Sequence, residues 1–171
     1  DEWMNLMQSG SGERGIINRE ALRESARKCG RDNDYDFGVN PCGEIILRPR
    51  QFCNLTEVVV RPEDTYSSFL NKIEHATILG VLQSTLTDFQ FLSPEWKKNV
   101  EEERLLGVSL TGLKDHPVLG KVSGEARTWL KTGKWYSHAI AECWANTLGI
   151  PVPRAITTVK PSGTVSQLVD S

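Results

Sequence analysis

Asn40, Cys42 and Glu44 put an amide, a thiol and a carboxylate at alternate positions of one pentapeptide, Asn40-Pro41-Cys42-Gly43-Glu44. In extended backbone these side chains project to one side at a spacing of about 7 Å, so they could line one small ligand. An amide both donates and accepts hydrogen bonds, and a carboxylate within reach of a hydroxyl can act as general base. Pro41 cannot donate to a ladder and Gly43 permits unusual dihedrals, so the pentapeptide is expected as a loop, such as the tip of a hairpin, and not as a central strand. Taken alone, it is better explained as a turn with Cys42 a small buried residue and Glu44 a solvated charge. A second thiol, Cys53, lies in Phe52-Cys53-Asn54-Leu55-Thr56-Glu57 on the expected return arm of the same excursion. A third segment, Lys160-Pro161-Ser162-Gly163-Thr164, follows a predicted short strand and opens a predicted helix. Free backbone N–H groups and a helix dipole there suit an anion, although an empty helix cap fits equally well.

The elements that must carry these groups follow from periodicity. Ile45-Ile46-Leu47 and Val58-Val59-Val60 read as the two arms of a hairpin-like excursion, side by side, turning at Arg48-Pro49-Arg50-Gln51. Asn18 caps a helix from Arg19 to about Lys28. After Arg61-Pro62-Glu63-Asp64, a long helix is expected to about Leu92, with Phe69, Ile73, Ala76, Leu79 or Gly80, and Leu86 on its apolar face. Ser93-Pro94 opens a charged helix to about Leu106, with the acidic run Glu101 to Glu103 as its solvated side. Gly107 to Gly112 is a small-residue segment that lets backbone pack closely. A further helix from about Ser123 to Leu148 ends at Gly149 and Pro151, and its Trp129, Trp135, Tyr136 and Trp144 read as core or subunit contacts. Ala155 to Val159 reads as a short strand. Long helices interleaved with short strands make the class α/β.

Near the start, Gly10, Gly12 and Gly15 formally make a GxGxxG. A helix-like segment carrying Trp3, Met4, Leu6 and Met7 precedes it where a dinucleotide fingerprint needs a strand, so a turn is the better account. Asn54-Leu55-Thr56 is a formal glycosylation acceptor, but that reading needs a secreted protein and nothing in the sequence supports one.

With 171 residues, 39% hydrophobic and 25% charged, the chain can build a real core. Its 20 basic and 22 acidic residues are well mixed, so no basic face points to nucleic acid or a membrane. No bilayer-length apolar run or leader is visible, which makes the cytoplasm the expected location. The four cysteines lack the paired short spacing of a zinc site, and no metal ligation is expected of them. The chain begins at Asp1 without Met and stops at Ser171 in a new element, as a piece of a larger protein would.

Asn40-Pro41-Cys42-Gly43-Glu44-Ile45 followed by Phe52-Cys53-Asn54-Leu55-Thr56 resembles the active-site finger loop of the ribonucleotide reductases, most closely the adenosylcobalamin-dependent class II enzymes. Glu103 to Gly112 resembles the family's Arg-Gly-Val-Thr-Gly segment, and Lys160 to Ser166 its substrate phosphate loop. The short interval between Cys42 and Cys53 and the Gly12-Glu13-Arg14-Gly15-Ile16 segment resemble the monomeric triphosphate-reducing branch. The resemblance implies that the whole chain, 1–171, is part of a ten-stranded α/β barrel, with a central finger loop at about 37–60 and a phosphate loop at about 160–166.

Carried over residue by residue, the resemblance implies that Cys42 becomes a thiyl radical and removes the ribose 3'-hydrogen. Glu44 acts as base on the 3'-hydroxyl, and Asn40 bonds the sugar. Cys53 is one of two reducing thiols that end as a disulfide, its partner expected upstream of residue 1. Ser162, Gly163, Thr164, Val165 and Ser166 bind the phosphates of a ribonucleoside di- or triphosphate. Adenosylcobalamin supplies the first unpaired electron, with most of its site outside this chain. A thioredoxin-like reductant and a complementary chain of the same enzyme are the implied partners. Cys29 and Cys143 are assigned to structure. Two other readings compete: a non-catalytic fragment that needs a complementary chain, and a thiol-disulfide protein pairing Cys42 with Cys53, for which no Cys-x-x-Cys exists.

Overall fold

The β-branched run ending in Val58-Val59 forms β3 (Asn54–Val59), and its partner is distant in sequence. It pairs in parallel with β4 (Leu106–Thr111), in register from Asn54 opposite Leu106 to Val59 opposite Thr111. Segment 155–158 flanks the other edge of β4: Leu106 N–H donates to Ala155 O (2.9 Å), Val108 N–H to Ile156 O (2.8 Å) and Thr158 N–H to Val108 O (3.1 Å). The computed structural model describes residues 2–11, 15–32 and 34–171. Gly12, Glu13 and Arg14 of the glycine motif, and with them part of the segment likened to the triphosphate-reducing branch, lie outside the described residues. The described part is mixed α/β, with two-stranded pairings only and no closed barrel among these residues.

Parallel strands are normally covered on both faces, which is why β4 is apolar and almost wholly buried. Helix α3 (Tyr66–Gln83) lies against β3 and β4, and α5 (Gly124–Leu148) packs on α3. Phe69, Ile73, Ala76 and Val81 of α3 meet Val58, Val108, Ile156 and Trp129 in one core. The two helices approach closely at Gly133, where a Cβ would lie 2.7 Å from Ile73 Cδ1. Thr65 and Ser68 form a reciprocal capping box at the start of α3. The helix stops at Gln83, short of Leu92, because Ser84 turns its hydroxyl to Val81 O (2.6 Å) and gives its carbonyl to Arg104 Nη1 (2.6 Å). Of the alternatives Leu79 and Gly80 for the apolar face, Gly80 is buried and Leu79 exposed, and Leu86, also expected there, is exposed. Among the aromatic residues of α5, Trp129 is core and Trp144 packs against it, whereas Trp135 is exposed. Helix α1 (Glu2–Ser9) forms as expected but buries none of its residues.

The hairpin differs from the one anticipated. Ile46-Leu47 forms β2 and pairs antiparallel with β1 (Gly38–Val39), so its arms are 38–39 and 46–47, and Val58 to Val60 belongs to the parallel sheet. The turn at 48–51 is not a hairpin end, because it is anchored elsewhere. Gln51 Nε2 donates to Glu103 Oε2 (2.7 Å) and Asn99 O (3.2 Å), and Asn99 Nδ2 donates to Pro49 O (2.9 Å).

Glu103 ends α4 (Pro94–Glu103) and is 2% exposed, which corrects its reading as solvated. Arg31, just past α2 (Arg19–Lys28), grips it with two hydrogen bonds, Nε to Oε1 (3.0 Å) and Nη2 to Oε2 (2.8 Å). Arg48 adds a third contact from Nη2 to Oε1 (3.0 Å). Arg31 also donates to Ile46 O (2.8 Å), and the guanidiniums of Arg31 and Arg48 lie over the rings of Phe37 and Tyr35. One buried carboxylate thus ties the base of the hairpin to α4 and to the residues after α2.

Candidate active site

At the tip of the β1–β2 hairpin, Asn40 N–H donates to Ile45 O (3.2 Å) and Gly43 N–H donates to Asn40 O (2.9 Å). The chain reverses around Pro41, and Gly43 takes φ +80°, where a side chain would be strained. The Asn40 side chain braces the turn twice: Oδ1 accepts from Ile45 N–H (3.0 Å) and Nδ2 donates to Glu44 Oε1 (2.7 Å). This turn replaces the extended row of three side chains. Asn40 and Glu44 meet, while Cys42 is left exposed at the tip.

Glu44 is drawn inward, its side chain 8% exposed. Besides Asn40, Oε1 has Lys160 Nζ at 3.3 Å, and the Glu44 carbonyl accepts from Thr158 Oγ1 (3.2 Å). Oε2 is buried with no hydrogen-bond partner. Burial pushes the carboxyl's pKa upward, but the residue's own backbone N–H, Asn40 and Lys160 outweigh it and hold the pKa below the ordinary carboxylate range.

Cys53 stands half-buried at the foot of β3. Burial pushes its thiol up to about 12; Glu44 adds to the rise while Arg31 and Lys160 oppose it. At neutral pH it is therefore a protonated thiol, able to give a hydrogen but poor as a thiolate nucleophile. Cys53 and Glu44 border the same cavity of about 120 Å³, with Cys29, Arg31, Thr157 and Thr158. Gly107 permits this closeness: a Cβ there would lie 2.4 Å from Leu55 Cδ2 and 3.2 Å from Cys53 Sγ. Glu44 also borders a cavity of about 460 Å³ with an apolar wall from Phe69, Ile73, Val108 and Leu110, and with Lys134 at its edge.

In the 160–166 segment, Lys160 N–H donates to Ser109 Oγ (3.0 Å). Ser162 Oγ is buried without a partner, Gly163 takes φ +48°, and Ser166 Oγ donates to Gly163 O (2.7 Å). Thr164, Val165 and Ser166 belong to the short helix α6 (Thr164–Leu168). Ser166 also borders an open cleft of about 680 Å³ with Arg61, Asp115 and Asp170, which contains none of Asn40, Cys42, Glu44 or Cys53. Arg61 in that cleft is already bonded to the carbonyls of Val169 and Asp170.

The structure thus gathers Asn40, Glu44 and Cys53 beside Lys160, with Cys42 on the same turn. All four cysteines are free thiols. The sequence places Lys160 only at the start of the 160–166 loop and not beside Glu44, and it gives no site role to Arg31 or Glu103. Nothing local to Arg31 announces its partner 72 positions away. Among the described residues no group of three or more His, Cys, Asp or Glu is placed to hold a metal ion. No described helix is long and apolar enough to cross a membrane. Asn54, of the formal glycosylation triplet, lies in β3 with its side-chain amide donating to Leu105 O (3.1 Å).

No family model matches the chain. An adenosylcobalamin-dependent ribonucleoside-triphosphate reductase of Lacticaseibacillus paracasei is 32% identical over 92% of this chain and 25% of its own length. Its counterpart in Levilactobacillus brevis is 31% identical over the same shares. A probable enzyme of the same name from Dictyostelium discoideum is 26% identical over 92% of this chain and 21% of its own length. A crystal structure of a B12-dependent (class II) ribonucleotide reductase superposes with a TM-score of 0.61 at 23% identity, covering 78% of this chain and 22% of that one. The chain spans about a quarter of the length of the curated relatives it matches. Over nearly its whole length, then, it is a homologue of one segment of the class II, adenosylcobalamin-dependent ribonucleotide reductases.

Proposed function

We propose that this chain carries the reacting side chains of a ribonucleotide reductase and acts as part of a larger, barrel-shaped enzyme that reduces ribonucleoside triphosphates. The observation that carries this reading is Glu44. One oxygen is fixed by Asn40 and Lys160, and the other is buried and unpartnered beside a protonated thiol. Buried acceptors without partners are rare enough to need an explanation, and a donor hydroxyl supplied by a substrate is one.

In this reading the Cys42 thiyl removes the 3'-hydrogen of the ribose. Glu44 Oε2 takes the proton of the 3'-hydroxyl, as a general base must, with Asn40 holding its other oxygen. The 2'-hydroxyl leaves as water on a proton from the thiol pair, and Glu44 returns its proton to the 3'-oxygen as that pair delivers its electrons. Cys53 and a second thiol outside these residues supply the two reducing equivalents, ending as a disulfide that a thioredoxin-like dithiol reduces again. The 3'-hydrogen then returns from Cys42, which regenerates the thiyl. When bound, adenosylcobalamin, the cofactor in the relatives' names, would supply the first unpaired electron, and Cys42 is the residue of this chain assigned to face it. An exposed thiol at a hairpin tip, with open space around Gly43, fits that assignment. The triphosphate is assigned to Ser162, Gly163, Thr164, Val165 and Ser166 through hydroxyls and backbone N–H groups, the unpartnered Ser162 Oγ being the chief support.

The test supplies this chain with the complementary segments of the enzyme, adenosylcobalamin, a ribonucleoside triphosphate and a dithiol. Deoxynucleotide should form with the natural chain and not with Cys42→Ser. Equal product from both refutes the assignment.

A further inference from the structure

Lys160 is neither a thiol nor a base, yet it joins the carboxylate of the site to the loop that follows it in the chain. Its ammonium is 3.3 Å from Glu44 Oε1, and its chain position is two residues before Ser162. The pair is lopsided. The Glu44 side chain is 8% exposed and held by Asn40, whereas the Lys160 side chain is 31% exposed. The backbone of Lys160 is pinned by Ser109 Oγ (3.0 Å), so the flexible four-carbon stem can swing its ammonium about a fixed root. Two buried oxygens lack partners, Oε2 of the carboxylate that Lys160 pairs with and Oγ of Ser162, two residues further along the chain.

We propose that Lys160 is a shared counter-ion: it pairs with Glu44 until the polyphosphate of a substrate occupies 162–166, then turns to the phosphate and frees the carboxylate to act as base. This rests on the phosphate reading of that loop. The energetic argument is one of charge. A part-exposed ammonium opposite a single carboxylate gains little, while a polyphosphate offers several negative charges and many acceptor oxygens to the same three N–H donors.

No other cation among the described residues is bonded to Glu44. Lys134, from α5, borders the larger cavity with it. Arg31 borders the smaller one but is committed to Glu103 (2.8 Å), and Cys53 and Cys29 complete the ionisable groups there. Cys42 lies on the same turn. Removing Lys160 therefore removes the one ion pair that Glu44 has among the described residues. The base becomes stronger only when a substrate is seated, and an empty site keeps its carboxylate neutralised by a neighbour.

The experiment follows the Glu44 carboxyl carbon by NMR through a pH titration of the isotope-labelled chain, with and without saturating inorganic triphosphate. It compares the natural chain with Lys160→Met and Lys160→Arg. In the natural chain triphosphate should raise the proton affinity of Glu44 by roughly two- to fivefold more than it does in Lys160→Met, the range set by a part-exposed ion pair. Without triphosphate, Lys160→Met should already show the raised affinity, and Lys160→Arg should restore the low one. If backbone amides of 162–166 do not respond to triphosphate, the phosphate reading fails and the sharing fails with it. If they respond while Glu44 shifts equally in the natural chain and Lys160→Met, the sharing alone is overturned. An unchanged Glu44 titration in Lys160→Met without triphosphate overturns the pairing itself.

Discussion

Glu103→Gln is the substitution whose cost can be worked most closely from the structure. Oε1 receives Arg31 Nε (3.0 Å) and Arg48 Nη2 (3.0 Å), and Oε2 receives Arg31 Nη2 (2.8 Å) and Gln51 Nε2 (2.7 Å). An amide has one oxygen and one N–H₂ group, so in either orientation two of these four donors face another donor. Arg31 and Glu103 are 3% and 2% exposed, so water cannot replace the lost acceptor. Removing one partner of a buried pair costs about 3–5 kcal/mol. For a chain of this size that lowers Tm by about 6–20 °C.

The pH dependence gives a second reading of the same variant. Burial raises the Glu103 pKa, but hydrogen bonds from Arg31 and Gln51 and the charges of Arg31 and Arg48 outweigh it and hold the pKa below the ordinary range. A depressed folded-state pKa means that the stabilisation is complete above the unfolded value and is lost as pH falls through the folded one. The gap between natural and variant chains in urea unfolding should be full at pH 7 and shrink only in acid. A gap under about 1 kcal/mol at pH 7, or one that does not shrink in acid, refutes the argument.

Three further outcomes are expected. Alkylation with iodoacetamide at pH 8, read by mass spectrometry, should modify the exposed Cys29, Cys42 and Cys143 and spare Cys53, whose thiol is pushed up to about 12; Cys53 reacting at the rate of the others contradicts its burial. Gly107→Ala places a Cβ 2.4 Å from Leu55 Cδ2 and should cost about 1–3 kcal/mol in urea unfolding, whereas no loss means that the β3–β4 contact is looser than described. In the complemented enzyme Glu44→Gln should lower turnover by about 10²- to 10⁴-fold, the usual worth of a general base. The natural enzyme's kcat/KM, which reports the substrate-free site where Glu44 pairs with Lys160, should fall only as acid approaches the depressed Glu44 pKa, because the base works as the carboxylate; a fall beginning well above the ordinary carboxylate range speaks against Glu44.

Local signals in the sequence were reliable where local physics decides the outcome. Asn18 caps α2, Ser123 caps α5 and Gly149 ends it in the left-handed region, as their residue types suggest. The loop character of the Asn40 to Glu44 pentapeptide was legible from Pro41 and Gly43. What the sequence hid was pairing over distance. Val58-Val59 is as suitable for a hairpin as for a parallel strand, and only the docking of β3 against the buried strand β4 selects the second. Glu103 looks like its neighbours Glu101 and Glu102, and one step of about 100° round the helix decides which of them meets Arg31. The meeting of Glu44 with Lys160, 116 positions apart, likewise depends on where segment 155–158 docks, which no local pattern records.

The division of labour between the two thiols is tested most directly with a ribonucleoside triphosphate labelled with tritium at the 3' position, measuring both release of the label and formation of deoxynucleotide. With the complementary segments and cofactor present, Cys53→Ser should still break the 3' carbon–hydrogen bond and form no deoxynucleotide, while Cys42→Ser should do neither. Label release that survives in Cys42→Ser, or deoxynucleotide formed normally by Cys53→Ser, would contradict the account.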